Sequence, residues 1–202
     1  MTDEKRTYRK KARAQAEAET RRRITESAVE LHGTLGPSRT TMSAIADHAG
    51  VRRSTLYRHF PDEEAVFGAC SQHWSQQNPP PDVSSWPAIA DPAARMRTAL
   101  EALYPYYRRN ERMLSNLTRD HETMPVVARF FAAYGDFLAA VREMLLEGRG
   151  ARGRRRALLR AAVGHAIAFT TWRSLARDQG LADGEAAALM CELVEAAARM
   201  RL

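Results

Sequence analysis

The stretch from Thr40 to Phe60 constrains the fold more strongly than any other part of this chain. Its apolar residues recur at helical spacing in two short segments, with a tight turn between them. Helices that cross closely need a small residue at the crossing, which Ala46 supplies, and the turn needs tolerance of positive φ, which Gly50 supplies. Leu56 provides the apolar residue that packs back from the second segment. The spacing predicts a helix-turn-helix, although a generic helical hairpin is also compatible with it.

The excess positive charge of the chain lies around this stretch. Of a net charge of +7 over 202 residues, residues 1–60 contribute +6, from 13 Lys and Arg against 7 Asp and Glu. A basic N-terminal third joined to a nearly neutral remainder indicates a polyanionic partner such as nucleic acid. A solvated basic tail without a partner would give the same balance.

The rest of the chain is also helical in pattern, so we predict an all-α fold with about nine helices. Residues 1–19 are polar and charged, and we predict a flexible basic arm or a frayed helical extension there. Residues 20–62 are predicted to form a three-helix DNA-binding domain whose first helix runs from about Thr20 to Gly33. Residues 63–202 are predicted to form a second, helical domain after a proline-rich boundary, and Pro105 should kink or end one of its helices.

The sequence offers little support for catalysis, metal binding or membrane insertion. Cys70 and Cys191 form no CxxC pair, and no two of the six histidines have helical ligand spacing, so we expect no metal and no cofactor. The run Asp120-His121-Glu122 cannot converge on one substrate, because consecutive residues on a helix point in different directions. We therefore predict no catalytic residues and no enzyme. Without a signal peptide or a long apolar run, a cytoplasmic location is expected.

The stretch from Thr40 to Phe60 also resembles a known family. The pattern Thr-Thr-x-x-x-Ile-Ala-x-x-Ala-Gly-Val-x-x-x-Thr-Leu-Tyr-x-His-Phe is similar to the N-terminal signature of TetR family transcriptional regulators. With the adjoining helices, the resemblance extends over about residues 20–70, whereas the remainder is similar only in its number and length of helices. The resemblance implies a DNA-binding head and a C-terminal helical domain that binds a ligand and dimerises.

The resemblance also implies roles for individual residues. Thr41 is expected to meet a phosphate, and Arg53, in the N-terminal part of the recognition helix, is the best candidate for contacting a guanine in the major groove. Tyr57 and His59 match positions that touch the sugar-phosphate backbone. The full set of expected DNA-binding residues is Thr40, Thr41, Arg52, Arg53, Ser54, Thr55, Tyr57 and His59.

The chain departs from the family pattern after the motif. Asp62, Glu63 and Glu64 occupy the place where relatives usually carry a lysine, so a phosphate anchor is expected to be missing. The basic residues of the N-terminal arm are expected to compensate by following the DNA backbone or entering a minor groove. These residues are Lys5, Arg6, Arg9, Lys10, Lys11 and Arg13.

In the second domain, the resemblance implies a mostly apolar ligand cavity and a dimer interface made by the last two helices. The candidate ligand-binding residues are Trp74, Tyr104, Tyr107, Phe130, Tyr134, Phe169 and Trp172. The candidate dimer residues are Leu158, Ala162, His165, Leu189, Leu193 and Ala197. An ordinary core role is the alternative for each of them.

The function expected from these features is that of a homodimeric repressor. It would bind double-stranded DNA at a palindromic operator and be released by a small hydrophobic or aromatic effector, with no membrane partner. A ligand-dependent activator or co-repressor-type regulator is an alternative. A second alternative, from a different functional class, is a helical small-molecule binding protein or enzyme whose DNA-binding head is vestigial.

Overall fold

The computed structural model describes residues 2–200, which form nine α-helices. The all-α prediction is therefore confirmed over the described range. The helices are α1 (Thr2–Thr34), α2 (Met42–His48), α3 (Arg53–His59), α4 (Glu63–Gln77), α5 (Pro92–Asp120), α6 (Pro125–Leu146), α7 (Gly153–Ala166), α8 (Phe169–Arg173) and α9 (Asp183–Arg199). A 3₁₀ turn lies at Pro37–Arg39, another at Trp86–Ala88, and a π-helical turn at Ser174–Asp178 follows α8. No helix among the described residues is long and apolar enough to cross a membrane.

The chain divides into two compact units. The first, here called the head, contains residues 2–78 together with Ser115–Phe130; the second, here called the body, contains Pro79–Leu114 and residues 131–200. The predicted boundary after residue 62 is therefore corrected, because α4 belongs to the head. Its buried side chains Val66, Phe67 and Cys70 complete the apolar core formed with α1.

The first helix is much longer than the sequence pattern indicated. Of the two forms predicted for residues 1–19, a flexible arm or a helical extension, the structure has the helical one: α1 is continuous from Thr2, and Met1 lies outside the described residues. The reason is local: Ala, Glu, Lys and Arg are strong helix formers, and neither Gly nor Pro occurs before Gly33. Helical ion pairs from Arg22 to Glu19 and to Glu26, both 2.6 Å long, add support.

The apolar residues of the motif lie in the core of the head. Ile45, Ala46, Leu56 and Phe60 are buried together with Ile24 of α1. Gly50 has a φ of +64°, a conformation that an L side chain rarely adopts, so the turn between α2 and α3 depends on this glycine.

The body differs from the predicted helix boundaries at one place. We predicted that Pro105 would kink or end a helix, but α5 continues through it to Asp120. Helix α7 ends at Ala166, three residues before α8 begins at Phe169. The hydroxyls of Tyr104 and Tyr107 donate to the exposed carbonyls of Ala166 and Ile167 at 2.8 and 2.5 Å, which satisfies this helix end from within the core.

A buried imidazole lies between α1 and α4 in the head. His32 Nδ1 is 3.4 Å from Cys70 Sγ, and its ring centroid is 5.3 Å from that of Phe67. Burial lowers the pKa of His32 to about 4 against the opposing attraction of the Asp120 carboxylate, and burial raises the pKa of the Cys70 thiol to about 12. Both groups are therefore neutral at pH 7.

This imidazole predicts an acid-sensitive head. In the unfolded chain His32 takes up a proton near pH 6.5, while in the folded head it does so only near pH 4. Protonation therefore favours unfolding between these values, and the free energy of unfolding should fall by about 3 kcal/mol from pH 6.5 to 4 on account of this residue. Denaturant titrations of the wild type and the His32→Gln variant across this range would measure the difference. His73→Gln, on α4, is the matched control, and equal pH slopes in the wild type and His32→Gln would contradict the assignment.

Candidate nucleic-acid interface

Helix α3 presents its polar residues outward over an apolar base. Leu56 is fully buried beneath it, whereas Arg52, Arg53 and Ser54 are exposed at its N-terminal end and Thr55 is half-buried. Arg52 occupies the N-cap position in an extended backbone conformation, without a side-chain cap. The recognition face predicted from the sequence is therefore accessible, and its arginines are available to a ligand.

Arg53 is held by its neighbour one turn along the helix. Its Nη2 donates to the Tyr57 hydroxyl at 3.3 Å, and its guanidinium carbon lies 5.5 Å from the centroid of that ring. The Tyr57 hydroxyl raises the pKa of Arg53, so the guanidinium stays charged. A planar, positioned guanidinium at the start of this helix matches the O6 and N7 acceptors of guanine.

The two threonines that precede α2 have different environments. Thr41 is exposed and caps α2, where its Oγ1 accepts the Ala44 amide at 3.1 Å. Thr40, by contrast, is buried, and its hydroxyl donates to the Gly36 carbonyl at 2.8 Å. The prediction that Thr40 binds DNA is therefore corrected: its hydroxyl closes the turn before α2.

His59 is also less accessible than predicted. It is half-buried, and its Nε2 is buried without a hydrogen-bond partner among the described residues. Its carbonyl accepts a 2.6 Å bond from Arg21 of α1, whose guanidinium also stacks 4.1 Å from the centroid of the Phe60 ring. Arg21 thus satisfies a carbonyl at the C-terminal end of α3. The sequence pattern does not predict this contact, because 38 residues separate Arg21 from His59.

The acidic residues that replace the family's lysine serve the fold of the head. Asp62 caps α4 by accepting the Ala65 amide at 2.8 Å, and Glu63 and Glu64 lie in its first turn, where the helix dipole favours acids. Glu64 also pairs with Arg129 at 2.7 Å, although both side chains are exposed and such pairs contribute little.

The end of α5 holds the turn that leads into α2. Asn116 Nδ2 donates to the carbonyls of His32 and Gly33, each at 2.9 Å. Asp120, only 2% exposed, accepts the Ser38 amide at 2.9 Å and pairs with Arg119 at 2.7 Å. The arginine and the Ser38 amide keep the pKa of the Asp120 carboxyl below its ordinary value against the effect of its burial. Asp120 therefore has a structural role, which no local sequence pattern indicated.

Comparison with known proteins agrees with this geometry. Residues 24–70 match the family model of bacterial regulatory proteins of the tetR family. The head is therefore similar to the DNA-binding domain of TetR family transcriptional regulators. A search of curated proteins found no match to the chain.

Several solved structures resemble this chain in fold. One, described as a fatty acid metabolism regulator of Clostridium perfringens, has 15% identity and a TM-score of 0.62, over 89% of this chain and all of that one. A TetR transcription regulator from Haloarcula marismortui has 15% identity and a TM-score of 0.54, over 90% of this chain and 97% of that one. A linker-substituted mutant of HlyIIR has 13% identity and a TM-score of 0.63, over 87% and 97%. At these identities the similarity shows the fold alone.

The body contains most of the aromatic residues predicted to bind a ligand. Tyr104, Tyr107 and Trp172 are fully buried, and Phe169 packs edge-on to Tyr107 with ring centroids 5.7 Å apart. Trp172 Nε1 donates to Asp183 at 2.8 Å, so its polar group is satisfied within the core. Trp74 and Phe130 belong to the head, where Phe130 packs on Phe67 at 5.5 Å.

Tyr134 differs from the other aromatic residues of the body. It is half-buried and stacks on Phe131 and Phe137, with ring centroids 5.3 and 6.4 Å away. Its hydroxyl lies near that of Tyr107, which donates to the Ile167 carbonyl. The buried Tyr134 oxygen has no hydrogen bond of good geometry to another described residue. Burial raises the pKa of Tyr134, so the phenol remains protonated.

Helix α9 has apolar residues on two faces. One face, including Met190 and Val194, is buried in the body, where α9 packs against α7. On the other, Leu189, Leu193 and Met200 are 42%, 51% and 51% exposed. None of the six predicted dimer residues is fully buried: Leu189, Leu193 and His165 are exposed, and Leu158, Ala162 and Ala197 are half-buried.

The arginine-rich segment before α7 includes a buried arginine. The side chain of Arg149 is only 4% exposed; it pairs with Glu195 at 2.7 Å and donates to the carbonyls of Leu145 and Pro92. Arg95, also buried, donates to the carbonyls of Met144 and Ile89. These two arginines satisfy carbonyls at the C-terminal end of α6, where positive charge also complements the helix dipole.

Proposed function

We propose that this TetR family regulator is a homodimeric repressor that binds a palindromic operator and is released by a small hydrophobic or aromatic molecule. The observation that carries the proposal is the exposed N-terminal end of α3, where Tyr57 holds the Arg53 guanidinium in place. Two such helices about 34–36 Å apart would read successive major grooves on one side of the duplex.

The exposed apolar face of α9 supports the homodimer. A soluble monomer seldom leaves large apolar side chains clustered on its surface; Leu189 and Leu193 lie about one helical turn apart on α9, and Met200 follows its last residue. The same face on a second subunit, together with the half-buried Leu158 and Ala162 of α7, would give a self-complementary four-helix contact.

The aromatic cluster of the body supports an aromatic or hydrophobic effector. Its stacked rings favour an apolar ligand, and the unpaired Tyr134 hydroxyl offers a single polar group that fixes orientation. The proposed effector therefore combines an apolar body with one hydrogen-bonding group.

Replacing Tyr134 by phenylalanine should change stability and ligand affinity in opposite directions. Removing a buried hydroxyl that lacks a partner should raise the free energy of unfolding by about 1 kcal/mol or more. Losing its hydrogen bond to the effector should weaken effector binding by roughly fivefold to tenfold. Calorimetry with an effector found by screening would measure the affinity, and denaturant titration the stability. Tyr106→Phe is the control; a Tyr134→Phe variant that binds the effector as the wild type does would exclude this residue from the site.

A reporter gene placed under the DNA upstream of the regulator's own gene tests the repressor mode. Repression is expected when the chain is co-expressed, with recovery of expression when the effector is added. Higher expression with the chain present would instead identify an activator, and repression only with a ligand present would identify a co-repressor mechanism.

A further inference from the structure

The N-terminal part of α1, residues 6–19, carries an exposed basic stripe. All of these side chains are exposed, and no ion pair joins Arg6, Arg9 or Arg13 to an acidic side chain among the described residues. Residues 5–13 include six basic and no acidic residues. Five basic charges on described side chains thus remain free for a polyanion: Arg6, Arg9, Lys10, Lys11 and Arg13.

The stripe lies on the same face of α1 that packs into the head. At 100° per residue, Arg6, Arg9 and Arg13 fall within an arc of about 60°, and Ile24 and Leu31 fall in the same arc. Ile24 is buried beside Leu56 of α3 in the head core. The basic stripe therefore continues, beyond the head, the face of α1 that is buried in the core of the head.

The point at which the helix leaves the head is next to the recognition helix. Arg21 bonds the carbonyl of His59 at the end of α3, and the residues before Thr20 are exposed. From Arg21 back to Arg6 the helix rises about 22 Å at 1.5 Å per residue. That length corresponds to about six or seven base pairs of duplex at 3.4 Å each.

We propose that residues 6–13 of α1 form a second DNA-binding surface, which holds the phosphate backbone of duplex next to the segment read by α3. This inference rests on the proposed operator binding by α3 and adds a separate surface to it. Duplex DNA is favoured over a lipid surface because the stripe has only one large apolar side chain, Tyr8. The contact is sequence-independent and would replace the lysine that the chain lacks at the start of α4.

Hydroxyl-radical footprinting and salt-dependent binding of the full chain to its operator test this surface. The variant Arg6→Gln/Arg9→Gln/Arg13→Gln keeps helix propensity but removes three charges. It should lose protection at backbone positions within about seven base pairs of the α3 segment, and its slope of log K against log salt should fall by about 2 to 3 per head. The control Arg112→Gln/Arg154→Gln/Arg173→Gln, which removes three exposed arginines of the body, should match the wild type.

A proline variant tests whether the contact depends on the helix. Ala14→Pro keeps every basic residue but interrupts α1 between the stripe and the head. The protection next to the α3 segment should therefore disappear, while protection of the segment read by α3 persists. An unchanged footprint and salt slope in the triple glutamine variant would overturn the proposal, and a wild-type footprint from Ala14→Pro would overturn its helical form. Absence of any specific footprint from the wild type would instead refute operator binding itself.

Discussion

Replacing Arg53 by alanine is expected to abolish selective operator binding while leaving the head folded. Arg53 is exposed at the start of α3 and held by the Tyr57 hydroxyl at 3.3 Å, so its truncation removes no core contact. A bidentate arginine–guanine contact contributes about 1–3 kcal/mol, and a symmetric dimer makes two of them. Affinity for the operator should therefore fall by between about 30-fold and about 20,000-fold, as measured by fluorescence anisotropy.

Arg58→Ala is the matched control for this experiment. Arg58 lies on the same helix, is exposed, and carries the same charge, but it is at the C-terminal end. Its loss should weaken binding to operator and scrambled DNA alike, because a phosphate contact carries no sequence information. If Arg53→Ala also reduced both affinities equally, Arg53 would be a phosphate contact and the assignment of base reading would be wrong.

Introducing glutamate at both Leu189 and Leu193 should convert the proposed dimer to a monomer. These side chains are 42% and 51% exposed in the protomer, so the substitutions should not disturb its own core. In a symmetric interface they would bury four leucines, each contributing about 1.5–3 kcal/mol, and the glutamates would add four like charges. Dissociation at micromolar concentrations is expected in sedimentation experiments, together with loss of cooperative binding to the full operator.

Leu35→Glu is a suitable control, since this leucine is 45% exposed and belongs to the head, whereas α9 belongs to the body. It should sediment as a dimer like the wild type. A wild-type chain that is monomeric throughout the micromolar range, or a double variant that remains dimeric, would contradict an interface on α9.

Local sequence signals predicted the head well because its constraints are local. Ala46, Gly50 and Leu56 serve the crossing, the turn and the packing that their spacing indicated, and Gly50 has the positive φ that the turn required. The cap at Thr41 was also readable, because a side-chain cap involves residues three positions apart.

The errors arose where a distant partner or cumulative helix propensity decides the outcome. Thr40 was predicted to bind DNA because the motif gives no sign that its hydroxyl is bonded to Gly36. The contacts of Asn116 and Asp120 with the turn before α2 join residues more than 80 positions apart, so no periodicity could indicate them. The helical form of residues 2–19 followed from propensity alone, which the absence of apolar periodicity concealed.

Ligand and dimer residues were the hardest to assign because a helix of the body can face a core, a ligand or a partner with the same residue types. Tyr104 and Trp172 are fully buried with satisfied polar groups, whereas Tyr134 has a buried hydroxyl without one. The sequence pattern does not distinguish these aromatic residues. Only the surroundings of each polar group in the structure do so.

The most direct test of operator recognition by α3 is fluorescence anisotropy with DNA from upstream of the regulator's own gene. The wild type, titrated across salt concentrations with scrambled DNA of equal length as the comparison, should bind the upstream DNA far more tightly, and both affinities should fall as salt rises. Equal and weak binding to both duplexes, followed by failure to enrich any site from random DNA, would contradict the proposal that this chain is an operator-binding repressor.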